Sequence, residues 1–246
     1  MITVVEKISV EKGKSKSHFF DFQKESSDQA TEWVIEIEEG ASFCGVWRQT
    51  HQSVSLQDQV WVRIQAGGSF SGVWWNEDNQ KLNRTIKVEF LGEESQAKLY
   101  GFTRASGTQT SSTETQLIHH VPNTNASQLF KSIVSDQSIS EFQGLVYVKS
   151  EAQKTDSNQY SQGLILSDQA RVITRPQLEI FADDVKCSHG ASIGQLDAEQ
   201  LLYIQSRGLS EHQAKTLLLK GFYEEIIDLV PDDALRNELK SHVEAA

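Results

Sequence analysis

Residues 33–47, WVIEIEEGASFCGVW, return as residues 60–74, VWVRIQAGGSFSGVW, at an offset of 27. Ile35/Val62, Ile37/Ile64, Gly40/Gly67, Ser42-Phe43/Ser69-Phe70 and Gly45-Val46-Trp47/Gly72-Val73-Trp74 coincide. A third, degenerate copy runs through Ile86-Lys87-Val88-Glu89-Phe90-Leu91-Gly92 and closes at Leu99-Tyr100-Gly101. A period of this size marks a stacked architecture, in which each unit buries its apolar face only against its neighbours. Within each copy apolar residues alternate, as a strand with one inward face requires, and glycine supplies the intervening turn.

Short strands, regular turns and this period are consistent with a β-solenoid, while repetition alone also admits a sandwich or a propeller. Further strand runs are expected at Thr115–His120, Leu129–Asp136, Phe142–Val148, Leu164–Ile173 and Leu178–Lys186. The pattern changes at Gly194. Asp197 with Gln200, and Ser210 with Gln213, have capping-box spacing, and Gly208 stands where a helix would end. Ala214, Leu217, Leu218, Phe222, Ile226 and Val230 then fall at helical spacing, and Pro231-Asp232-Asp233 opens a last helix carrying Leu235, Leu239 and Val243. The reading is a β core over residues 1–195 and a helical tail over 196–246, with the core expected to fold without the tail.

Charge and cysteine content narrow the functional classes. The formal net charge is −11, which argues against a phosphate-backbone binder and against an anionic membrane surface. No apolar run approaches a membrane span and no signal-peptide pattern opens the chain, so a soluble, cytoplasmic protein is expected. Cys44 and Cys187 lie far apart and are expected as free thiols in a reducing compartment. There is no GxxxxGK[ST] loop, so the chain is not expected to bind or hydrolyse nucleotide, and there is neither a GxSxG elbow nor a HExxH helix.

The chemistry-bearing residues gather late in the chain. In Cys187-Ser188-His189 the thiol and imidazole are two residues apart, so on a strand they share one face. Two soft donors make half a metal site, and by spacing alone a buried thiol beside a turn histidine is the default. Asp183-Asp184 fits a turn better than an acid pair, because adjacent strand residues point to opposite faces. His119-His120 splits in the same way, which favours surface residues over ligands. Trp47, Trp74 and Trp75 fit core stacking better than sugar binding, and Glu36–Glu39 fits a solvated face.

The longer string PQLEIFADDVKCSHGASIGQLDAEQLLYIQSRGLS, together with Phe142-Gln143-Gly144, Ala152-Gln153-Lys154-Thr155-Asp156 and Gln159, resembles the SufB/SufD family of iron–sulfur cluster assembly proteins, and is closer to SufD. The resemblance is dense from Gln128 to Phe222. It implies a right-handed parallel β-helix followed by a small C-terminal helical domain. It also implies a non-catalytic scaffold subunit, with no enzyme activity of its own, that pairs with a SufB-type chain and docks a SufC-type ABC ATPase through its C-terminal helices. His189 and, secondarily, Cys187 align with ligand positions for a transient iron–sulfur cluster shared with the partner subunit. Leu217, Leu218, Phe222 and Ile226 would supply the docking stripe. Two departures accompany the match. The helical region that precedes the β-helix in the family is almost absent here, and Gly163–Leu166 lacks the cysteine of SufB-type chains. The alternatives are a carbohydrate-active β-helix enzyme, which would need a groove of clustered acids, and a homodimeric structural protein.

Overall fold

The computed structural model describes residues 2–22, 29–50, 55–77 and 80–244. Among the described residues fourteen strands alternate between two parallel sheets. One sheet takes the odd strands in chain order: β1 (Ile2–Val10), β3 (Gln29–Ile37), β5 (Ser55–Ile64), β7 (Lys81–Phe90), β9 (Thr110–His119), β11 (Ile139–Val148) and β13 (Arg171–Ile180). The other takes the even ones: β2 (Ser15–Phe22), β4 (Ser42–Thr50), β6 (Ser69–Glu77), β8 (Gln96–Ala105), β10 (Asn125–Val134), β12 (Asp156–Ile165) and β14 (Lys186–Gly194). Each coil contributes one strand to each sheet, which makes the molecule a parallel β-solenoid. The repeat sets the register directly, because Trp33 pairs with Val60 and Trp47 with Trp74.

The Gly-Val-Trp triplets have a steric cause. A Cβ on Gly45 would lie 2.4 Å from the Trp47 ring, and one on Gly72 would lie 2.4 Å from the Trp74 ring. Each indole folds back over the glycine two residues before it. The rings then stack along the axis: Phe20 on Trp47 at 4.9 Å, and Trp47 on Trp74 at 5.0 Å. The next coil has Gly101 in this column, and the Phe130 ring of the following coil leans into the space it leaves. At one corner of the solenoid Gly13, Gly40 and Gly67 hold positive φ, and Glu94, Asn123 and Lys154 take the same conformation on later coils. The later turns therefore lose the glycine signature while keeping the backbone shape.

Polar residues also enter the interior. Asp58 and Arg84 face each other in register with both side chains 0% exposed, joined Nε to Oδ2 at 2.8 Å. Thr31 donates to Asp58 at 2.7 Å, and Arg84 donates to Asn76 at 3.0 Å and to Gln49. Every partner is buried, which offsets the cost of taking the two ions out of water.

Among the described residues the strands end at Gly194 and three helices follow: α1 (Ala198–Gln205), α2 (Glu211–Asp228) and α3 (Asp233–Glu244). Asp197 caps α1, Ser210 and Gln213 form a complete capping box on α2, and Asp232 accepts from Ala234 and Leu235 at the start of α3. The tail is a cover. Ile226, Ile227, Val230, Leu235 and Leu239 pack on Val46, Val73, Trp75, Tyr100, Phe102 and Ile133 on the outer face of the even sheet. A core that stood without its tail would present this apolar strip to water.

Two strand assignments are corrected. Leu164–Ile173 and Leu178–Lys186 straddle turns, since the strands there are Asp156–Ile165, Arg171–Ile180 and Lys186–Gly194. Inward Ser157, Gln159 and Ser161 replace the apolar alternation that would have marked β12. Gly72→Ala is expected to cost about 1–3 kcal/mol through overpacking against Trp74. Thermal denaturation should register this as a melting point lower by several degrees, with Gly194→Ala, where a Cβ meets nothing within 4 Å, as the neutral control.

Candidate site at the last coil

Cys187 and His189 lie on β14, the terminal strand of the even sheet, with one edge unpaired among the described residues. Cys187 continues the inward column of Ser157 and Ala126, and His189 continues that of Gln159 and Gln128. Both donors therefore belong to the interior face of the solenoid at the coil where the interior opens. Cys187 is half-buried against the inner core and His189 is exposed.

A run of buried amides lies below the histidine. Thr115 Oγ1 donates to Gln128 Oε1 at 2.7 Å, Gln128 Nε2 to Gln159 Oε1 at 2.6 Å, and Gln159 Nε2 to the Gly144 carbonyl at 3.3 Å. A Cβ on Gly144 would lie 2.4 Å from Gln159 Oε1, so the glycine makes room for the amide. Sequence reasoning did not find this ladder. Its only local signal is Thr, Gln and Gly at positions whose parity points inward.

Burial raises the pKa of the Cys187 thiol, opposed by the Ser157 backbone N–H and reinforced by the Asp156 carboxylate. The thiol is thereby held protonated at neutral pH, and binding any cation would require loss of that proton. Both cysteines are free, and Cys44 is pushed up to about 11 mainly by burial beneath the start of α3. Among the described residues no three His, Cys, Asp or Glu side chains assemble a metal site. Within this chain β14 therefore offers two soft donors on one face, fewer than a metal site requires.

Large exposed apolar side chains concentrate late in the chain. Of the nine among the described residues, Tyr160, Leu166, Ile180, Phe181 and Ile193 lie on the last two coils, and Leu202, Tyr203 and Leu217 lie on α1 and α2. Clusters of this kind mark contact surfaces. The remaining sequence candidates separate accordingly. Leu217 is 50% exposed, Leu218 and Phe222 are half-buried, and Ile226 is fully buried against the even sheet, which makes Ile226 a packing residue. Asp183 and Asp184 sit in the turn between β13 and β14. Trp47 and Trp74 belong to the inner core, whereas Trp75 faces outward and meets Tyr223 of α2 edge-on at 5.6 Å.

The surface expectation for His119 is overturned. His119 is 0% exposed, stacks on Phe90 at 4.2 Å and bonds Thr124 Oγ1 through Nδ1 at 2.7 Å, while His120 stays at the outer face beside Glu89. It occupies the inward column of Phe90 and Val148 as an aromatic, which the dipeptide alone does not reveal.

The SUF system FeS cluster assembly, SufBD core domain family matches residues 5–222. The chain is 35% identical to the iron–sulfur cluster assembly protein SufD of Escherichia coli over 66% of its length and 38% of that protein's. It is 38% identical to a SufBD family protein of Synechocystis over 66% of its length and 36% of that protein's. It is 36% identical to a chloroplastic protein of Arabidopsis thaliana over 66% of its length and 35% of that protein's. The matched segments thus span little more than a third of each relative. No helix is long and apolar enough to cross a membrane among the described residues.

Burial lowers the His119 pKa from 6.5 to about 3. The native state prefers the neutral ring, so its stabilisation is complete above pH 6.5 and is lost as pH falls toward about 3. Between those limits denaturant titrations should lose up to about 1.4 kcal/mol per pH unit from this group. His119→Leu should flatten the slope over the same range. An unchanged slope in that variant would assign the acid sensitivity elsewhere.

Proposed function

The chain belongs to the SufBD core family of the SUF iron–sulfur cluster assembly system, and from that premise we propose that it is a non-catalytic scaffold subunit of such a machine. In this reading it pairs with a SufB-type chain through its last coil, and its tail docks a SufC-type ABC ATPase. The cluster is cargo, held transiently between subunits, with His189 and secondarily Cys187 as this chain's ligands. The cytosol is the compartment proposed for it. The observation that carries the reading is a thiol and an imidazole at the open end of a β-solenoid, on a strand with one free edge, on coils that also carry exposed apolar side chains.

The two edges of the last coil differ. Pro176 lies in β13 and blunts that edge against pairing, whereas β14 contains no proline and can extend its sheet with a partner strand. Pairing at β14 would bring the partner's side chains beside Cys187 and His189 and complete the missing half of the ligand set. It would also cover Ile193. On the tail, Leu202, Tyr203 and Leu217 form the exposed edge proposed for the ATPase, while Phe222 and Ile226 are engaged with the solenoid.

His189→Ala should leave thermal stability within about ±0.5 kcal/mol, as expected of an exposed side chain. The iron and sulfide content of the reconstituted complex should fall sharply, with Cys187→Ser doing less. Normal cluster content in a folded His189→Ala complex removes the histidine from the site.

For the tail, Leu202→Glu/Leu217→Glu should fold normally and fail to co-purify with the ATPase. Truncation after Gly208 should instead give aggregated protein, because it uncovers Trp75 and Phe102. A soluble, folded truncation product would contradict the role of α2 and α3 as a cover. Co-purification of the double variant with the ATPase would move the docking surface elsewhere.

A further inference from the structure

On the outer face of the even sheet charge meets α2 at two places, the Glu77–Arg104 pair near Tyr223 and the buried Lys131. Lys131 stands in register after Trp75 and Phe102, and its side chain is 3% exposed. Its ammonium lies 4.6 Å from the centre of the Phe222 ring, donates to the Phe222 carbonyl at 3.0 Å and pairs with the Glu225 carboxylate. A leucine or phenylalanine would fill this position and suit the surrounding packing. The cation therefore contributes something that packing does not.

That contribution is directional. Apolar contact is insensitive to small displacements of a helix along a sheet, so Ile226 and Ile227 alone would tolerate α2 sliding over the coils. Phe222 and Glu225 lie one turn apart on the same helix face, and together they hold one ammonium at one place on β10. Toward its N-terminus α2 buries only Ala214 and carries the exposed Leu217, while α3 packs separately on β2 and β4. The geometry points to Lys131 as the positioning residue that sets the seat of α2 on the solenoid, and with it the location of the tail's exposed edge. Resting on the proposed function, Lys131 is also the point through which a load applied by the ATPase at that edge reaches β10, and from there β12 and β14 in register.

The charge burial makes the assignment testable by asymmetry. Glu225 is 55% exposed, so removing the lysine leaves a solvated carboxylate, whereas neutralising the glutamate leaves a buried ammonium without its counter-charge. In hydrogen exchange on the full chain, Lys131→Met should speed the α2 amides by about fivefold and leave those of α3 unchanged. Glu225→Gln should speed them more, and the Lys131→Met/Glu225→Gln double variant should return to the level of Lys131→Met. Unchanged α2 exchange in Lys131→Met, strictly additive effects, or equal acceleration in α3 and the strands would each overturn the assignment. These measurements need no partner, so they stand or fall apart from the family function. With the ATPase bound, Lys131→Met should keep the interaction but lose any nucleotide-dependent change in exchange at β14 that the unaltered chain displays. Retention of that change would exclude Lys131 as the point of transmission.

Discussion

Register between successive coils is the constraint on which everything else in this molecule rests. A single coil is two short strands with one apolar face and cannot bury that face alone. Stacking in register converts each inward position into a column running along the axis, so a residue is judged by what stands above and below it. The column Phe20, Trp47, Trp74, Gly101 and Phe130 is filled because a missing ring on one coil is supplied by the next. The same rule places a cysteine and a histidine at the last rung of two such columns, where the lattice of partners ends.

Two kinds of surface follow from this geometry. The flanks of the solenoid are closed by main-chain pairing and, on one side, by the helical cover. Among the described residues the last coil has no successor, so its inner positions face outward along the axis and the β14 edge is free to pair. A donor pair there is sheltered on the coil side and open to a neighbour on the other. The glutamine ladder below it keeps the interior polar yet satisfied, since Gln128 donates to Gln159 and Gln159 donates to the Gly144 carbonyl.

The early coils were legible in the chain because Gly-Val-Trp and the turn glycines repeat at a constant interval. Legibility declined as Glu94, Asn123 and Lys154 replaced glycine at the corner and as Ser157, Gln159 and Ser161 replaced aliphatics inside. Cys187 and His189 were singled out through the surrounding string, whereas the strand that carries them and its position as the terminal edge required the sheet order. The caps at Asp197 and Ser210 were readable locally, since the chemistry of a helix start lies within a few residues. The burial of His119 and Ile226 was not, because each is covered by residues distant in the chain or by a neighbouring coil.

The Asp58–Arg84 pair has a consequence for how such a stack assembles. Repeat arrays with only apolar columns can fray coil by coil, each end melting in small steps. Here β5 and β7 each contribute one ion to a dry interior. An array that terminated between them would leave a charge facing the lumen without its counterpart, at a cost of several kcal/mol. Intermediates ending at that boundary are therefore sparsely populated, and these two coils form and dissolve together as one cooperative unit.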